Sequence, residues 1–298
     1  MKILISGSSG LVGSRLTALL KAEGHEVLAL VRRPAGSAEI HWDPVRGELD
    51  AGLLEGLDGV VHLAGENIAE GRWTAAKKER IRASRVASTD LLCRALAGLQ
   101  ARPAVLVNAS AIGYYGDRGD QLLDEESPAG DGFLPEVCQA WEAATQPASE
   151  AGIRVVRLRI GVVLSVEGGA LQKMLLPFRL GAGGKVGSGR QYWSWISIDD
   201  LAGVINFALT NASLSGAVNA VAPQPVTNQQ FTKTLGRVLG RPTILPMPAF
   251  AARLALGEMA NDLLLASTRV APTRLEAAGY TYRHPDLESA LRHLLVPT

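Results

Sequence analysis

The chain has 298 residues, 47% of them hydrophobic and 20% charged, with 30 lysines and arginines against 29 acidic residues. The net charge of +1 argues against a nucleic-acid partner, the apolar fraction excludes disorder, and no apolar run approaches the ~18 residues of a membrane span. Two cysteines cannot form a disulfide framework, and the opening residues 1–6 are too short for a signal peptide, so we expect a cytoplasmic globular protein.

The chain opens with a predicted strand, a glycine-rich turn and a helix. Residues 2–6 are apolar, and residues 11–22 carry apolar side chains at helical spacing before Gly24, a predicted left-handed cap. A GxxGxxG turn in this context directs backbone N–H groups and the helix dipole toward a pyrophosphate. We predict that the turn binds a dinucleotide cofactor, the alternative being a tight turn without a ligand. Its residues are Gly7, Ser8, Ser9, Gly10, Leu11, Val12 and Gly13.

The end of the second predicted strand, residues 26–31, distinguishes the two dinucleotides. NAD sites usually place an acid there to bind the ribose hydroxyls, whereas a guanidinium suits the 2′-phosphate of NADP. Here Arg32 and Arg33 follow Val31, and no carboxylate appears until Glu39. We therefore predict NADP in preference to NAD, with Arg32 contacting the phosphate. Two solvated surface arginines are the alternative.

Two further strands are predicted, a short one at 40–42 and another at 59–64. The residues that end the latter, Leu63, Ala64 and Gly65, leave room for adenosine and ribose, although a plain buried strand end has the same composition. A helix over 73–99 follows, and its Arg80 and Arg85 could reach phosphate or ribose or remain solvated. Strands separated by helices of this length imply right-handed crossovers and a parallel sheet.

A strand at 105–109, a helix at 134–151 and a strand at 154–164 continue the pattern. Motifs along nearly the whole chain resemble those of extended short-chain dehydrogenase/reductases and, more closely, of YfcH-like epimerase family proteins. They include GSSGLVG, HLAGEN, NASAIGYYGD, SWISIDDLAG and GEMANDLLLASTRVAPTRLEAAGY. Residues 246–295 resemble the C-terminal module of that family. The resemblance implies an NADP-binding oxidoreductase or a sugar-epimerase-like enzyme.

The superfamily's chemistry uses Ser or Thr, then Tyr, then Lys four residues later on a helix. Ser110 follows the 105–109 strand, where the first of these residues belongs. The predicted helix 134–151 contains neither tyrosine nor lysine. None of the five tyrosines in the chain is followed four residues later by a lysine. The resemblance therefore leaves Ser110, Tyr114 and Tyr115 as candidate catalytic residues. Glu142, on the neighbouring helix, is either a base or a structural partner.

The chain after Ser165 is rich in glycine and proline. Gly187 and Gly189 give one loop freedom to close, and the resemblance implies that this loop covers the substrate. Its candidate substrate residues are Arg190, Gln191 and Trp195, the alternative being a loop whose tryptophans cover the smaller lobe. The resemblance also implies a backbone contact between Val163 and the nicotinamide.

Two helix starts are predicted in this half of the chain. Asp199 and Asp200 favour a cap and the helix dipole at the first, and we assign no metal to them. Thr227 and Gln230 have the spacing of a capping box for a helix that ends at residue 239.

These elements predict an α/β protein with a Rossmann-type doubly wound parallel sheet and a smaller C-terminal substrate lobe. Residues 1–165 form the predicted NADP-binding domain, with segments returning from the later chain, and residues 166–298 form the substrate lobe and a C-terminal helical module. We expect a small polar substrate, with a sugar or nucleotide sugar as a candidate, and a homodimer is compatible with the sequence. The alternative function is a non-catalytic NADP-binding redox sensor or regulatory protein, which the missing Tyr–Lys pair favours.

Overall fold

The computed structural model describes residues 1–296. The first half contains the predicted strands and helices, although the four strands between residues 26 and 62 follow one another without an intervening α-helix. The elements there are β1 (Lys2–Ser6), α1 (Leu11–Ala22), β2 (Glu26–Val31), β3 (Glu39–Asp43), β4 (Glu48–Leu49), β5 (Gly59–His62), α2 (Ala75–Ala97), β6 (Val105–Ala111), β7 (Leu122–Leu123), α3 (Phe133–Ala143), α4 (Gln146–Glu150) and β8 (Arg154–Ile160).

The second half has shorter strands and more turns. Its elements are β9 (Val162–Leu164), α5 (Gly169–Arg179), β10 (Tyr192–Trp193), β11 (Trp195–Ser197), α6 (Ile198–Thr210), β12 (Gly216–Ala220), β13 (Val226–Thr227), α7 (Asn228–Leu239), α8 (Ala249–Leu256), β14 (Arg269–Val270), α9 (Thr273–Ala277) and α10 (Leu287–Leu295). A single π-helical turn, Asn261–Leu265, precedes β14.

One eight-stranded sheet organises the molecule, in the order β12-β8-β6-β5-β1-β2-β3-β4. All neighbouring pairs are parallel except β3 and β4. The chain leaves β1 toward β2 on one side and later returns to β5 on the other, which makes the carboxyl ends of β1 and β5 the switch point where such sheets bind ligands. The predicted fold class, a doubly wound parallel sheet, is confirmed.

Alternating side chains of the central strands form two cores. Ile5 lies in one cluster with Leu16 of α1 and Val204 of α6, whereas Leu4 lies in another with Leu92 of α2. Successive strand residues point to opposite faces, so each strand supplies both layers. Each fully buried aliphatic side chain contributes roughly 1.5–3 kcal/mol relative to an exposed one.

Two predicted elements are divided in the structure. The helix predicted over 134–151 is two helices, because Pro147 cannot donate a backbone hydrogen bond at that turn and Thr145 N–H instead bonds Glu142 O at 3.2 Å. The strand predicted over 154–164 changes partner at Gly161, where a Cβ would lie 2.7 Å from Ser194 O. β8 stays in the large sheet, and β9 pairs with β11.

The second half of the chain both returns to the large sheet and forms a cluster of its own. β12 adds an edge strand beside β8, while Trp195, Phe231 and Leu291 pack together in a separate core. The capping box of Thr227 and Gln230 is present, as predicted. The cap of α6, however, is Ser197 and not an aspartate. Within residues 1–296, no helix combines the length and apolarity needed to cross a membrane.

Candidate functional site

The glycine-rich turn joins β1 to α1 in a left-handed conformation that favours glycine. Gly7 has φ +70°, and its carbonyl accepts a hydrogen bond from Gly10 N at 3.0 Å. A Cβ on Gly13 would lie 2.2 Å from Gly7 O, so helix and turn meet without room for a side chain. The turn therefore brings backbone N–H groups close to any molecule at the switch point.

The N-terminus of α1 has an anion-binding arrangement. Its N-cap, Gly10, supplies no side chain, and among the described residues no acidic group lies in the first helical turn. The helix dipole and the uncapped N–H groups therefore favour a phosphate there.

Four of the seven turn residues, Gly7 through Gly10, line a cleft of about 960 Å³ at the carboxyl edge of the sheet. The other three hold the turn in place: Leu11 packs against Gly168, Val12 against the core, and Gly13 is buried against Gly7. Within the predicted motif, residues 7–10 therefore face the cleft, and residues 11–13 pack against the rest of the protein and hold the turn in place.

Arg32 lies exposed at the far end of this cleft. The adjacent Arg33 is bound by Glu39 through two hydrogen bonds of 2.8 and 2.6 Å, and Gly36 N–H also donates to that carboxylate. These hydrogen bonds lower the pKa of Glu39, the one from Arg33 most. Among residues 1–296, Arg32 forms no ion pair with a carboxylate. At the end of β2 the cleft therefore has Arg32, without an acidic partner among the described residues, beside the neutralised Arg33–Glu39 pair.

The floor of the cleft is built on a buried imidazole. His62 Nδ1 lies 2.5 Å from Ser6 Oγ, and its Nε2 lies 3.2 Å from Ser88 Oγ. Burial lowers the pKa of His62 to about 4, so the ring is neutral at pH 7. Ser6 Oγ also accepts from the backbone N–H groups of Leu63 and Ala64. This network holds the predicted strand end, Leu63 to Gly65, in the cleft wall.

The two arginines predicted on α2 lie in different surroundings. Arg80 is exposed, with its Nε 3.7 Å from Glu66, whose carboxylate Lys77 binds at 2.7 Å. Arg85 is largely buried, donates to the carbonyls of Ile81 and Glu66, and lies with Cζ 5.0 Å from the centre of the Trp141 ring. Arg85 lines a second cavity and not the cleft.

Ser110, near the carboxyl end of β6, is buried in a network with Glu142 and Arg159. Its hydroxyl donates to Glu142 at 2.8 Å, and Arg159 binds the same carboxylate through Nε and Nη2 at 2.9 and 3.0 Å. Although burial alone lowers the pKa of Arg159, the hydrogen bonds and charge of Glu142 raise it overall. Of the two roles considered for Glu142, this geometry is that of a structural partner.

The two tyrosines pack against the same guanidinium. Tyr115 is fully buried, and its hydroxyl bonds Asn219 at 2.7 Å and Asp124 O at 2.9 Å. Burial raises the pKa of Tyr115 to about 12. The Tyr114 ring centre lies 3.5 Å from Arg159 Cζ. Neither tyrosine nor Ser110 lines the second cavity, so the structure brings the three candidates together in a supporting network.

The second cavity, of about 320 Å³, lies between the sheet edge and the C-terminal part of the chain. The face of α3 toward it carries Leu134 and Cys138, four residues apart, which is the spacing of Tyr and Lys in the superfamily that the sequence resembles. Burial raises the pKa of Cys138 to about 12, which leaves a neutral thiol. Asp262, on the π-helical turn, lines the opposite wall.

The predicted substrate residues lie near this cavity without lining it. Arg190 is exposed; Gln191 is buried, its side-chain amide donating to Val186 O and Leu264 O. Trp195 is 1% exposed and donates to Gln224 O, within the second-half core. Their chain neighbours Tyr192, Trp193 and Ser194 do form part of the wall. The three predicted side chains therefore do not face the cavity, although their chain neighbours do, and the assignment of this segment to a substrate stays a prediction.

Val163 pairs with Ile196 in the small sheet, and its side chain packs on the core. The cavity is lined instead by the preceding residues Ile160, Gly161 and Val162. The expected contact between the Val163 backbone and the nicotinamide stays a prediction.

The structure gathers three metal-capable side chains that are distant in sequence. Ligand atoms of Asp199, His284 and His293 lie within 4.8 Å of one another. Asp199 is already paired with Arg15 at 2.5 Å and with His293 at 2.8 Å. These contacts join α1, α6 and α10, and they satisfy the carboxylate without a metal ion.

Comparisons with known proteins agree with this geometry. The model of a family described as "NAD dependent epimerase/dehydratase family" matches residues 3–221, and a domain of unknown function (DUF1731) matches residues 247–294. The chain is 49% identical to an epimerase family protein of Mycobacterium tuberculosis over 290 residues, 97% of this chain and 96% of that protein.

Two solved structures are similar over nearly all of this chain. One is the human epimerase family protein SDR39U1 (isoform 2) with NADPH, at TM-score 0.92 and 38% identity over 99% of each chain. The other is a nucleoside-diphosphate sugar epimerase from Corynebacterium glutamicum, at TM-score 0.82 and 43% identity over 99% of this chain and 58% of that one.

Proposed function

This chain belongs to the NAD dependent epimerase/dehydratase family, and from that premise we propose that it is an NADP-dependent oxidoreductase or epimerase-like enzyme acting on a small molecule. The observation that carries the proposal is Arg32, a cation without an acidic partner among the described residues, at the end of the nucleotide cleft. A 2′-phosphate is the feature of NADP that this cation would recognise.

The state of Glu39 supports the preference for NADP over NAD. A carboxylate that binds ribose hydroxyls needs lone pairs directed at the sugar, and both Glu39 oxygens already accept hydrogen bonds from Arg33. The acid is therefore engaged while Arg32 is available. The human relative solved with NADPH is consistent with this assignment.

The backbone of the cleft fits a dinucleotide. The Gly7–Gly10 turn and the uncapped start of α1 would hold the pyrophosphate, and Leu63, Ala64 and Gly65 would line the adenosine side. When bound, NADP would supply or accept a hydride. Arg80 and Arg85 make other contacts, and the proposal does not depend on them.

The candidate catalytic residues are assigned positioning roles. Ser110 and Tyr115 both reach Arg159 or its partner carboxylate, and Tyr114 stacks on the guanidinium. We propose that this network fixes the ends of β6 and β8, beside which the reacting molecule would bind. The reaction would then proceed without the Tyr–Lys pair, a proton being exchanged with water or with a polar group of the second cavity.

Cofactor binding tests the assignment of Arg32. NADPH and NADH affinities are measured by calorimetry for the wild-type protein, for Arg32→Glu and for Lys233→Glu, an exposed change on α7 in the other half of the chain. We expect Arg32→Glu to weaken NADPH binding by ~10-fold or more, since a charge-assisted phosphate contact becomes a repulsion, and to leave NADH nearly unchanged. Equal weakening of both cofactors would contradict the phosphate role, and no binding of either would exclude the function.

The alternative function, a non-catalytic NADP-binding sensor, is favoured by one observation. Two pairs of cavity-facing residues on α3 have the Tyr–Lys spacing, Leu134 with Cys138 and Val137 with Trp141, and none of these side chains is charged at pH 7. NADPH oxidation by the loaded protein is followed with a panel of carbonyl compounds and nucleotide sugars. Turnover of any member supports the enzyme, whereas tight NADPH binding without turnover supports the sensor.

A further inference from the structure

The second cavity lies where three parts of the chain meet. α2 and α3 supply one side, the carboxyl ends of β6 and β8 form the floor, and the π-helical turn Asn261–Leu265 supplies the opposite side. The matched C-terminal domain of unknown function thus contributes a wall of a cavity beside the nucleotide cleft. Single π-helical turns are frequent at functional sites.

The wall of this cavity is mainly apolar. Side chains from every contributing element are hydrophobic, among them Ile81, Ile112, Trp141, Val162 and Leu263. A hydroxyl-rich sugar would lose its hydrogen bonds to water here and find few protein partners, which costs roughly 1–3 kcal/mol for each unpaired group.

The cavity is also small. Its volume of about 320 Å³ is near the lower end of the ~300–1,000 Å³ typical of ligand pockets. A nicotinamide ring at the sheet edge would occupy part of it. The remaining space suits a compact molecule and not one that carries a nucleotide.

The charges of the cavity match a ligand with a single oxygen acceptor. Arg85 uses two of its N–H groups on the carbonyls of Ile81 and Glu66, and no carboxylate in residues 1–296 forms an ion pair with it. Asp262 is the acid of the lining. One cation opposite one acid cannot compensate the charges of a diphosphate, but the remaining donors of Arg85 can bind one carbonyl or carboxylate group.

We propose that this cavity binds a compact, mainly apolar molecule with one carbonyl or carboxylate group, whose oxygen Arg85 holds, and that it does not bind a nucleotide sugar. The inference rests on the proposed function in one respect, since the ligand would be the substrate of the NADP-binding enzyme. The sequence suggested that Arg85 contacts the cofactor. The inference assigns Arg85 to the substrate instead.

Fluorescence titration tests this assignment, because Trp141 and Trp193 line the cavity. The full-length protein, cofactor-free and loaded with NADPH, is titrated with cyclohexanone, cyclohexanecarboxylate and UDP-glucose, none of which requires turnover. We expect both cyclohexyl compounds to bind and UDP-glucose to bind more weakly than either. Arg85→Gln is expected to weaken cyclohexanecarboxylate binding by ~10-fold or more, whereas Arg82→Gln, an exposed change on the same helix, leaves it unchanged.

A second variant tests the cavity independently of Arg85. Ala266→Phe adds a ring to the wall that the C-terminal part supplies and should abolish binding of both cyclohexyl compounds to the cofactor-free protein. Tighter binding of UDP-glucose, no binding of either cyclohexyl compound, or an Arg85→Gln variant that loses NADPH and keeps the carboxylate would each overturn the inference. Loss of the proposed function is distinguishable, since NADPH would then fail to bind while the cyclohexyl compounds still did.

Discussion

Removing the carboxylate of Glu142 should destabilise the protein more than any surface change. Its side chain is 8% exposed and that of Arg159 4%, and Glu142 accepts three hydrogen bonds, from Ser110 and from two nitrogens of Arg159. Glu142→Ala leaves the guanidinium buried without a counter-ion. Breaking one partner of a buried ion pair costs about 3–5 kcal/mol.

The expected thermal shift follows from the chain length. An unfolding entropy of about 2.1 cal/mol/K per residue gives about 0.6 kcal/mol/K for 298 residues, so the loss corresponds to about 5–8 °C in Tm. Urea unfolding gives the free energy and calorimetry the Tm. Glu136→Ala, an exposed change on the same helix, should cost less than about 1 kcal/mol.

A double variant separates the charge from the packing. Because an apolar pair can replace a buried ion pair at little cost, Glu142→Leu with Arg159→Met should be more stable than Glu142→Ala alone. If the double variant is instead as unstable as the sum of its two single changes, or if Glu142→Ala costs no more than Glu136→Ala, the ion pair is not what stabilises this edge of the sheet.

Three further predictions concern single groups. His62 has a pKa of about 4 when folded and ~6.5 when unfolded, so the free energy of unfolding should fall by up to ~3 kcal/mol as the pH drops from 6.5 to 4, with no further loss from this group below 4; urea unfolding of His62→Asn should lack this part of the dependence, and an identical pH profile would disprove it. Gly13→Ala should abolish NADPH binding or folding, because the alanine Cβ would lie 2.2 Å from Gly7 O. If calorimetry shows that the variant binds NADPH with the wild-type affinity, the close approach of helix and turn is refuted. Cys138 should react with a thiol reagent at pH 8 far more slowly than in urea, since burial raises its pKa to about 12; equal rates would show an exposed thiolate.

The features that sequence reasoning predicted well depend on short stretches of chain. The β1–turn–α1 unit was identified because strand, glycines and helix lie within residues 2–22, and the structure places all three as expected. The two predicted elements that the structure divides also have local causes. Pro147 interrupts the predicted helix, and Gly161 allows the predicted strand to change sheets. Both residues were visible, but whether a proline or glycine interrupts an element depends on what packs against it.

The candidate site shows the same division. The sequence predicted that Arg190, Gln191 and Trp195 contact the substrate, whereas Tyr192, Trp193 and Ser194 are the residues of this segment that line the second cavity. A strand of two or three residues has no periodicity long enough to show which side chains point inward. Asp262 carried no signal at all, since a lone aspartate in an apolar stretch is common.

By itself, the sequence determined the alternation of strands and helices, the glycine turn, the cation at Arg32 and the absence of a Tyr–Lys pair, because each depends on residues adjacent along the chain. Only the tertiary structure decided that Arg33 and not Arg32 is paired with Glu39, that Ser110 and Tyr115 support a buried Arg159–Glu142 pair, and that Arg85 and Asp262 line one cavity. The physical reason is that charge pairing and cavity walls depend on distances across the fold. Arg85 and Asp262 are far apart in sequence, and only the packing of the C-terminal part against α2 and α3 places them around the same cavity.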